Sequence, residues 1–506
     1  MQRGICRIIV VALIVGLSGV PVARAEDVPV AATASAARTG YSDQWFGRNL
    51  VQLWSYPAGS AVYSPPVTDG RAIYAGSDGG RFFALDPATG AELWSYEVGS
   101  AIKDPACLAG DRVYFTTLRG DVNALATADG TPIWKAELRE RIDAGVAATG
   151  DRIVVPCSDG IVRGLSALDG TTVWQYTIGV GTRLLSTPAI TDGVVLIEAD
   201  DSLTALEPLT GSLLWHVPLS GEFRHWPVIA GDRVITAGSG DSQGGLKAVR
   251  IATGEELGGY KYPGDNHWAA PAIDPSDGSV YAGLEGGVFR FSSQLGSPVA
   301  RWDGKPEAKS GSKRYVMWQP LILRDLIVVP GHLEVSAADA LFFFSRDGSL
   351  SFLGVQPLPE KLAAPPLVYE SVLYYGSVSG NLVALAPVRV RLNGSLVDFG
   401  QKQPLSQPSG RVIVPARAVV EGAGGTIDWD PVARVATARF NGHVVAMPID
   451  SSTIIVDGVP ETIDEPARLI DGSTMLPIRW MVEGLGGEVG WDQPTRTVII
   501  TLVAGQ

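Results

Sequence analysis

At 506 residues, with 53 Asp and Glu against 40 Lys and Arg, the chain is long enough for more than one domain, and its formal charge of −13 excludes nucleic acid or an anionic lipid surface as a general partner. Sixty Gly and 34 Pro, with few stretches of helical periodicity, point to many tight turns between short strands. Beyond the N-terminus no apolar run approaches the roughly 18 residues that span a bilayer, so no transmembrane segment is expected.

Residues 1–25 place Arg3 and Arg7 ahead of an apolar run from Ile8 to Val15 and end on Ala23-Arg24-Ala25, the layout of a cleavable secretory signal peptide. Cys6 precedes the apolar run, so the pattern of a lipid-anchored bacterial protein is missing. The expected product is secreted or extracytoplasmic, at the cell surface or in the periplasm. Residues 26–40, EDVPVAATASAARTG, read as a flexible leader. Only Cys107 and Cys157 follow; in an oxidising compartment they either form one bridge or stand as two buried thiols.

From residue 41 to 387 a period of about forty residues governs the chain. Trp54, Trp94, Trp134 and Trp174 are spaced by 40 and Trp215 follows at 41. Each unit repeats a Pro-hydrophobic start, an alternating strand such as RAIYAGS or DRVYFTT, a second strand, and an Asp/Thr-Gly turn leading to Trp. Eight such units begin near Arg71, Asp111, Asp151, Gly193, Asp232, Gly278, Asp325 and Ser371. A period of this length is that of a four-stranded propeller blade, and alternation within each strand lets blades stack face to face. The five Trp are expected to dock between blades, each covering a Gly-containing turn. The eighth unit ends at GSVSGNLVALAP without the turn and Trp, whereas Asn49 to Trp54 resembles a unit end. The ring is therefore expected to close by pairing the N-terminal strand with the last unit, removing an exposed edge.

The motif ALDPATGAELW, Ala84 to Trp94, with weaker copies at LATADGTPIW, LSALDGTTVW and LEPLTGSLLW, resembles the pyrroloquinoline-quinone (PQQ) type propeller repeat. That family includes quinone-dependent alcohol and glucose dehydrogenases and also non-catalytic members such as the propeller lipoprotein of the outer-membrane assembly machine. The adjacent cysteines found over the quinone in many alcohol dehydrogenases of the family are absent, as is a CxxCH haem site, and no motif places a catalytic base. Asp69, Asp111, Asp151 and Asp232 precede strands as turn residues do. No catalytic residue and no cofactor are predicted; PQQ with calcium is the alternative.

The segments entering each unit converge on one mouth of the central channel. GEFRHWP, PGDNHWAAP and SKRYVMWQP bring Arg224, His225, Trp226, His267, Trp268, Arg314, Tyr315 and Trp318 toward it, with Lys103, Arg141, Arg183 and Lys361 in matching positions. In an acidic chain a basic, aromatic mouth suits an anionic or sugar-like ligand or an acidic segment of a protein partner; the other reading is that the Trp plug the channel and the cations are solvated. His225 and His267 lack an identifiable third ligand, so no metal site is predicted. Gly238 to Gly245, GSGDSQGG, lacks the GK[ST] of a phosphate loop and reads as a hairpin; Asp274 and Asp277 in DPSDG lack the remaining ligands of a calcium loop.

After Pro387 the period changes. Pro415 and Pro477, Arg417 and Arg479, Glu421 and Glu483, Trp429 and Trp491, and Asp430 and Asp492 are each 62 apart, a tandem duplication in which each half reads as strand, short helix (from Pro415 and Pro477), Gly-Gly turn and hairpin. VPARAVVEGAGGTIDWD and LPIRWMVEGLGGEVGWD resemble the copper amine oxidase N-terminal-like, or stalk, domain, an accessory piece without copper in that family. The Arg/Glu pairs four apart read as structural.

The sequence thus predicts a mainly β protein: signal peptide 1–25, leader 26–40, an eight-bladed β-propeller of four-stranded blades over 41–387, and a small duplicated α+β stalk-like domain over 388–506. The functional expectation is a non-catalytic binding or scaffolding protein of the cell surface or envelope whose partner is a protein or a cell-wall or carbohydrate ligand. The alternatives are an extracytoplasmic PQQ-dependent dehydrogenase and cell-wall or carbohydrate attachment through the stalk-like domain.

Overall fold

The computed structural model describes residues 40–43, 46–48, 50–179, 182–191, 193–199, 201–219, 222–223, 226–239, 245–261, 269–284, 287–302, 315–316, 318–333, 338–399, 403–406, 411–470, 473–492 and 496–503. The expected signal peptide and residues 26–39 of the expected leader lie outside them.

Eight antiparallel sheets follow one another from Val67 to Pro387, six of four strands and two with an extra two-residue strand, Glu222–Phe223 and Tyr315–Val316. The alternating segments become the buried second strands, Ile73–Gly76 and Arg112–Thr116 among them, because side chains on both of their faces meet a neighbouring blade. Phe82 of the first blade stacks on Phe115 of the second at 4.1 Å between ring centres and 8° between planes. A register shift recurs in the outer pairing, at Ala84/Leu85, Ala124/Leu125, Gly164/Leu165, Ala205/Leu206 and Ala248/Val249, where the chain leaves the turn and enters the Trp strand.

The eighth sheet has the order Leu50–Pro57, Asn381–Pro387, Val372–Gly376, Leu367–Tyr369. Its outermost strand comes from the other end of the chain, with Leu50 opposite Pro387 and Pro57 opposite Asn381. Ahead of that strand, Gly40 at the end of the expected leader is buried and bonded: the Ile322 N–H donates to the Gly40 carbonyl at 2.8 Å and the Ser42 N–H to the Ile322 carbonyl at 2.9 Å. Tyr41 thereby pairs in parallel with Leu321–Ile322, the edge strand of the seventh blade. Gly40 adopts φ +68°, and a Cβ there would lie 2.7 Å from the Pro320 carbonyl oxygen.

Beyond Pro387 the chain passes without a linker from the strand Asn381–Pro387 into Arg389–Leu392. That strand runs parallel to Thr497–Thr501, so the first strand of the C-terminal module is bonded to its last. Helices α1 (Ala416–Gly422) and α2 (Ile478–Gly484) occupy equivalent places in the duplication. Pro415 and Pro477 sit at the N-cap with extended backbone, one residue ahead of each helix, rather than opening it as the sequence suggested. The two halves are joined by a sheet: Val412–Pro415 pairs antiparallel with Ser473–Pro477. Their core includes Val419, Val420, Met481, Val482, Leu476 and Val445, and Val388 and Val51 from the propeller side pack into it.

Candidate functional site

The five repeated Trp fasten neighbouring blades to one another. Trp54, Trp94, Trp134, Trp174 and Trp215 each lie against the turn of the next blade, where a Cβ on Gly90, Gly130, Gly170, Gly211 or Gly254 would meet the indole at 2.4–2.9 Å. Each indole N–H donates to a carbonyl of that same turn: Pro87, Thr127, Ala167, Pro208 and Ile251, at 2.7–3.0 Å. The turn is shaped by its own side chains. Asp86 accepts from the Ala88 and Thr89 N–H groups at 3.1 and 2.8 Å, and Gly90 at φ +71° receives the next strand. Only Gly gives both that backbone and a flat seat for the indole. At the sixth blade Trp302 instead stacks on Phe352, 5.1 Å away and 15° from parallel.

Of the residues expected at the channel mouth, Arg224, His225, His267, Trp268 and Arg314 lie outside the described residues. Tyr315 is placed by its backbone alone, opposite His332 in a two-residue strand. Trp226 is half-buried against the core of the fifth and sixth blades, which includes Val228, Ile235 and Phe289. Trp318 is half-buried against Phe46, Leu321 and Phe343 of the seventh and eighth. The Trp318 indole N–H is buried and has no hydrogen-bond partner among the described residues. The two rings therefore belong to separate packing clusters.

The cations in matching positions are partly neutralised. Lys103 lies 3.2 Å from Asp78 and over the Tyr63 ring at 5.1 Å. Arg141 makes a two-pronged bond to Asp143, both contacts at 2.6 Å, and Asp143 also accepts from Ser158 at 3.0 Å. Burial works to raise the Asp143 carboxyl, and the Arg141 and Ser158 bonds overcome it and hold it below its ordinary range. Arg183 and Lys361 are exposed. The charges of Lys103 and Arg141 are thus offset by acids that the spacing of cations did not reveal.

The acids of the expected turns are engaged with neighbours. Asp69 accepts from the Arg71 and Ala72 N–H groups at 2.9 and 3.0 Å. Asp274, 3% exposed, is clamped by Arg346 through two bonds of 2.7 Å that tie the sixth blade to the seventh, and the Arg346 guanidinium also lies over the Tyr41 ring at 5.3 Å. Asp277 takes Ser279 at 2.8 Å and Arg290 at 3.0 Å. Cys107 and Cys157 are free thiols that share one packing cluster; Cys157 is fully buried, and burial pushes its thiol up to about 11. The ends of the GSGDSQGG run pair as a hairpin, Gly238 opposite Gly245, and its tip is outside the described residues.

The family profile described as outer membrane protein assembly factor BamB matches residues 47–183, 118–302 and 160–431, and thus more than half of the chain. The chain belongs to the BamB family. A second profile, the copper amine oxidase N-terminal domain, matches residues 391–500, the duplicated region. Among solved structures the BamB-like chain is similar to BamB from Moraxella catarrhalis, at 19% identity and TM-score 0.52, covering 67% of this chain and 97% of that one. It is also similar to the quinohemoprotein alcohol dehydrogenase from Comamonas testosteroni, at 13% identity and TM-score 0.55, covering 79% of this chain and 85% of that one. These likenesses are of fold. No curated protein matches the chain. Among the described residues of this BamB-family chain no helix is long and apolar enough to cross a membrane.

Proposed function

We propose that the chain is an extracytoplasmic, non-catalytic binding platform whose propeller holds a protein partner, with the channel mouth around Trp226 and Trp318 as the contact region. The observation that carries this reading is the match to the BamB profile in overlapping stretches from residue 47 to 431, which together contain all eight blades, against likenesses to quinone enzymes that extend to fold alone. The donor chemistry supports it. Asp69, Asp274 and Asp277 are engaged in turns and inter-blade ion pairs with neighbouring residues. The chain's own Gly40–Ser42 segment bonds Ile322 on the edge strand of the seventh blade.

The test is crosslinking in intact cells followed by identification of the partner, repeated with Trp226→Ala and Trp318→Ala. The reading expects an envelope protein to be crosslinked by the parent chain and lost from both variants at unchanged protein level. Crosslinks confined to cytoplasmic proteins, or undiminished in both variants, contradict it.

A further inference from the structure

Where the propeller meets the C-terminal module lies an open cavity of about 350 Å³. Its apolar floor includes Val51 of the ring-closing strand and Val388 of the junction, and its walls carry Trp480, Trp491, Arg411, Arg479, Arg496 and Asp464. Most of this lining comes from the second half of the duplication. The first half has Ala418 where the second has Trp480, and Arg434 where the second has Arg496. Both arginines adopt a positive φ, +55° and +49°, at the same hairpin position. Arg434 spends its guanidinium on an exposed ion pair with Asp450 at 3.1 Å. Arg496 is half-buried, and its Nε is buried without a hydrogen-bond partner among the described residues. One copy of a duplicated fold has therefore gained an indole and an unanswered cation at a cavity.

The other charges of the lining are answered. Asp464 accepts from Arg411 at 2.8 Å and from the Trp480 indole N–H at 3.0 Å, which fixes the plane of that ring. Arg479 faces Glu483 at 3.8 Å, and Glu465 faces Arg468 at 3.2 Å. The guanidinium of Arg496 remains, in a site where partial burial strengthens a pairing with an anion. Indole faces beside planar hydrogen-bonding groups suit the alternating C–H and O–H surfaces of a sugar ring. The volume stands at the lower end of the roughly 300–1,000 Å³ found for small-ligand sites, which suits one or two sugar residues.

We propose that this cavity binds a short carbohydrate bearing a carboxylate, its ring against Trp480 and Trp491 and its carboxylate on Arg496. The proposal rests on the reading of the chain as an extracytoplasmic binding protein and concerns a cavity lined by none of the residues expected at the channel mouth. It is tested by calorimetric titration of the full chain with a glucuronosyl-glucose disaccharide, with neutral cellobiose and with an acidic dipeptide.

The acidic disaccharide is expected to bind saturably and at least about tenfold more tightly than cellobiose or the dipeptide, about 1.4 kcal/mol. Arg496→Gln is expected to remove that preference and Arg434→Gln to leave it intact. Should Arg496→Gln fail to fold, Trp480→Ala, which reproduces the other copy, is expected to weaken both sugars, and added salt to weaken only the acidic one. No saturable binding, equal binding of the two sugars, tighter binding of the dipeptide, or equal effects of the two Arg variants overturns the proposal. Trp318→Ala, which tests the partner at the channel mouth, is expected to leave sugar binding unchanged, so either reading can fail without the other.

Discussion

Trp94 and Gly130 show how one residue pair fastens two blades: the indole lies flat on the glycine, and its N–H bonds the turn that carries it. Trp94→Ala removes a large buried plane and leaves a cavity, with an expected cost of about 3–5 kcal/mol. Gly130→Ala puts a Cβ 2.5 Å from the ring at a backbone φ of +71°, with an expected cost of about 1–3 kcal/mol from backbone strain alone. Chemical denaturation of the two variants checks both, and a Gly130→Ala chain as stable as the parent would contradict the docking account.

A second residue-scale prediction concerns acid. Burial tends to raise the Asp274 carboxyl, but Arg346, then Ser276, hold it below the usual carboxylate range. Its stabilising contribution is therefore complete above the unfolded value near 4 and is lost as pH falls through the lower folded value. Asp274→Asn is expected to flatten the loss of stability on acidification below pH 4 and to lower stability at pH 7, because the Arg346 charge is left half-buried and unpaired. Melting curves from pH 2.5 to 7 check it.

At the scale of elements, the strand Leu50–Pro57 has no partner near it in sequence and gains its ladder only by reaching Asn381–Pro387. Deleting residues up to Pro57 exposes the edge of the eighth blade and the face that Trp54 covers, so the truncated chain is expected to aggregate, as seen by size exclusion. A soluble monomer with a parent-like melting curve would contradict the closure.

The ring-closing strand was legible in the sequence because the eighth unit lacks the ending that Asn49 to Trp54 supplies. The blades were legible because the Trp period and the strand alternation are local patterns. The parallel bridge of Tyr41 to Ile322 was not, since Gly40 to Ser42 carry no periodicity and are positioned by an edge hundreds of residues away. For the cations expected at the channel mouth the sequence did not show their partners: Asp78 and Asp143 pair with Lys103 and Arg141 through contacts that the repeat spacing does not reveal. Likewise Arg479 and Trp491 read as helix and hairpin residues, and only folding brings them to one cavity with Arg411 and Arg496.

At the scale of the whole molecule, Val51 and Val388 pack in the core of the C-terminal module, and Arg389–Leu392 continues the last blade into its sheet. Propeller and module are therefore expected to unfold in one calorimetric transition, and two resolved transitions would contradict that coupling. The central claim, that this BamB-family chain binds and does not catalyse, is tested most directly by titrating the purified protein with pyrroloquinoline quinone and calcium and then assaying dye reduction with simple alcohols and sugars. The account predicts no saturable quinone binding and no dye reduction; saturable binding with substrate-dependent reduction would contradict it.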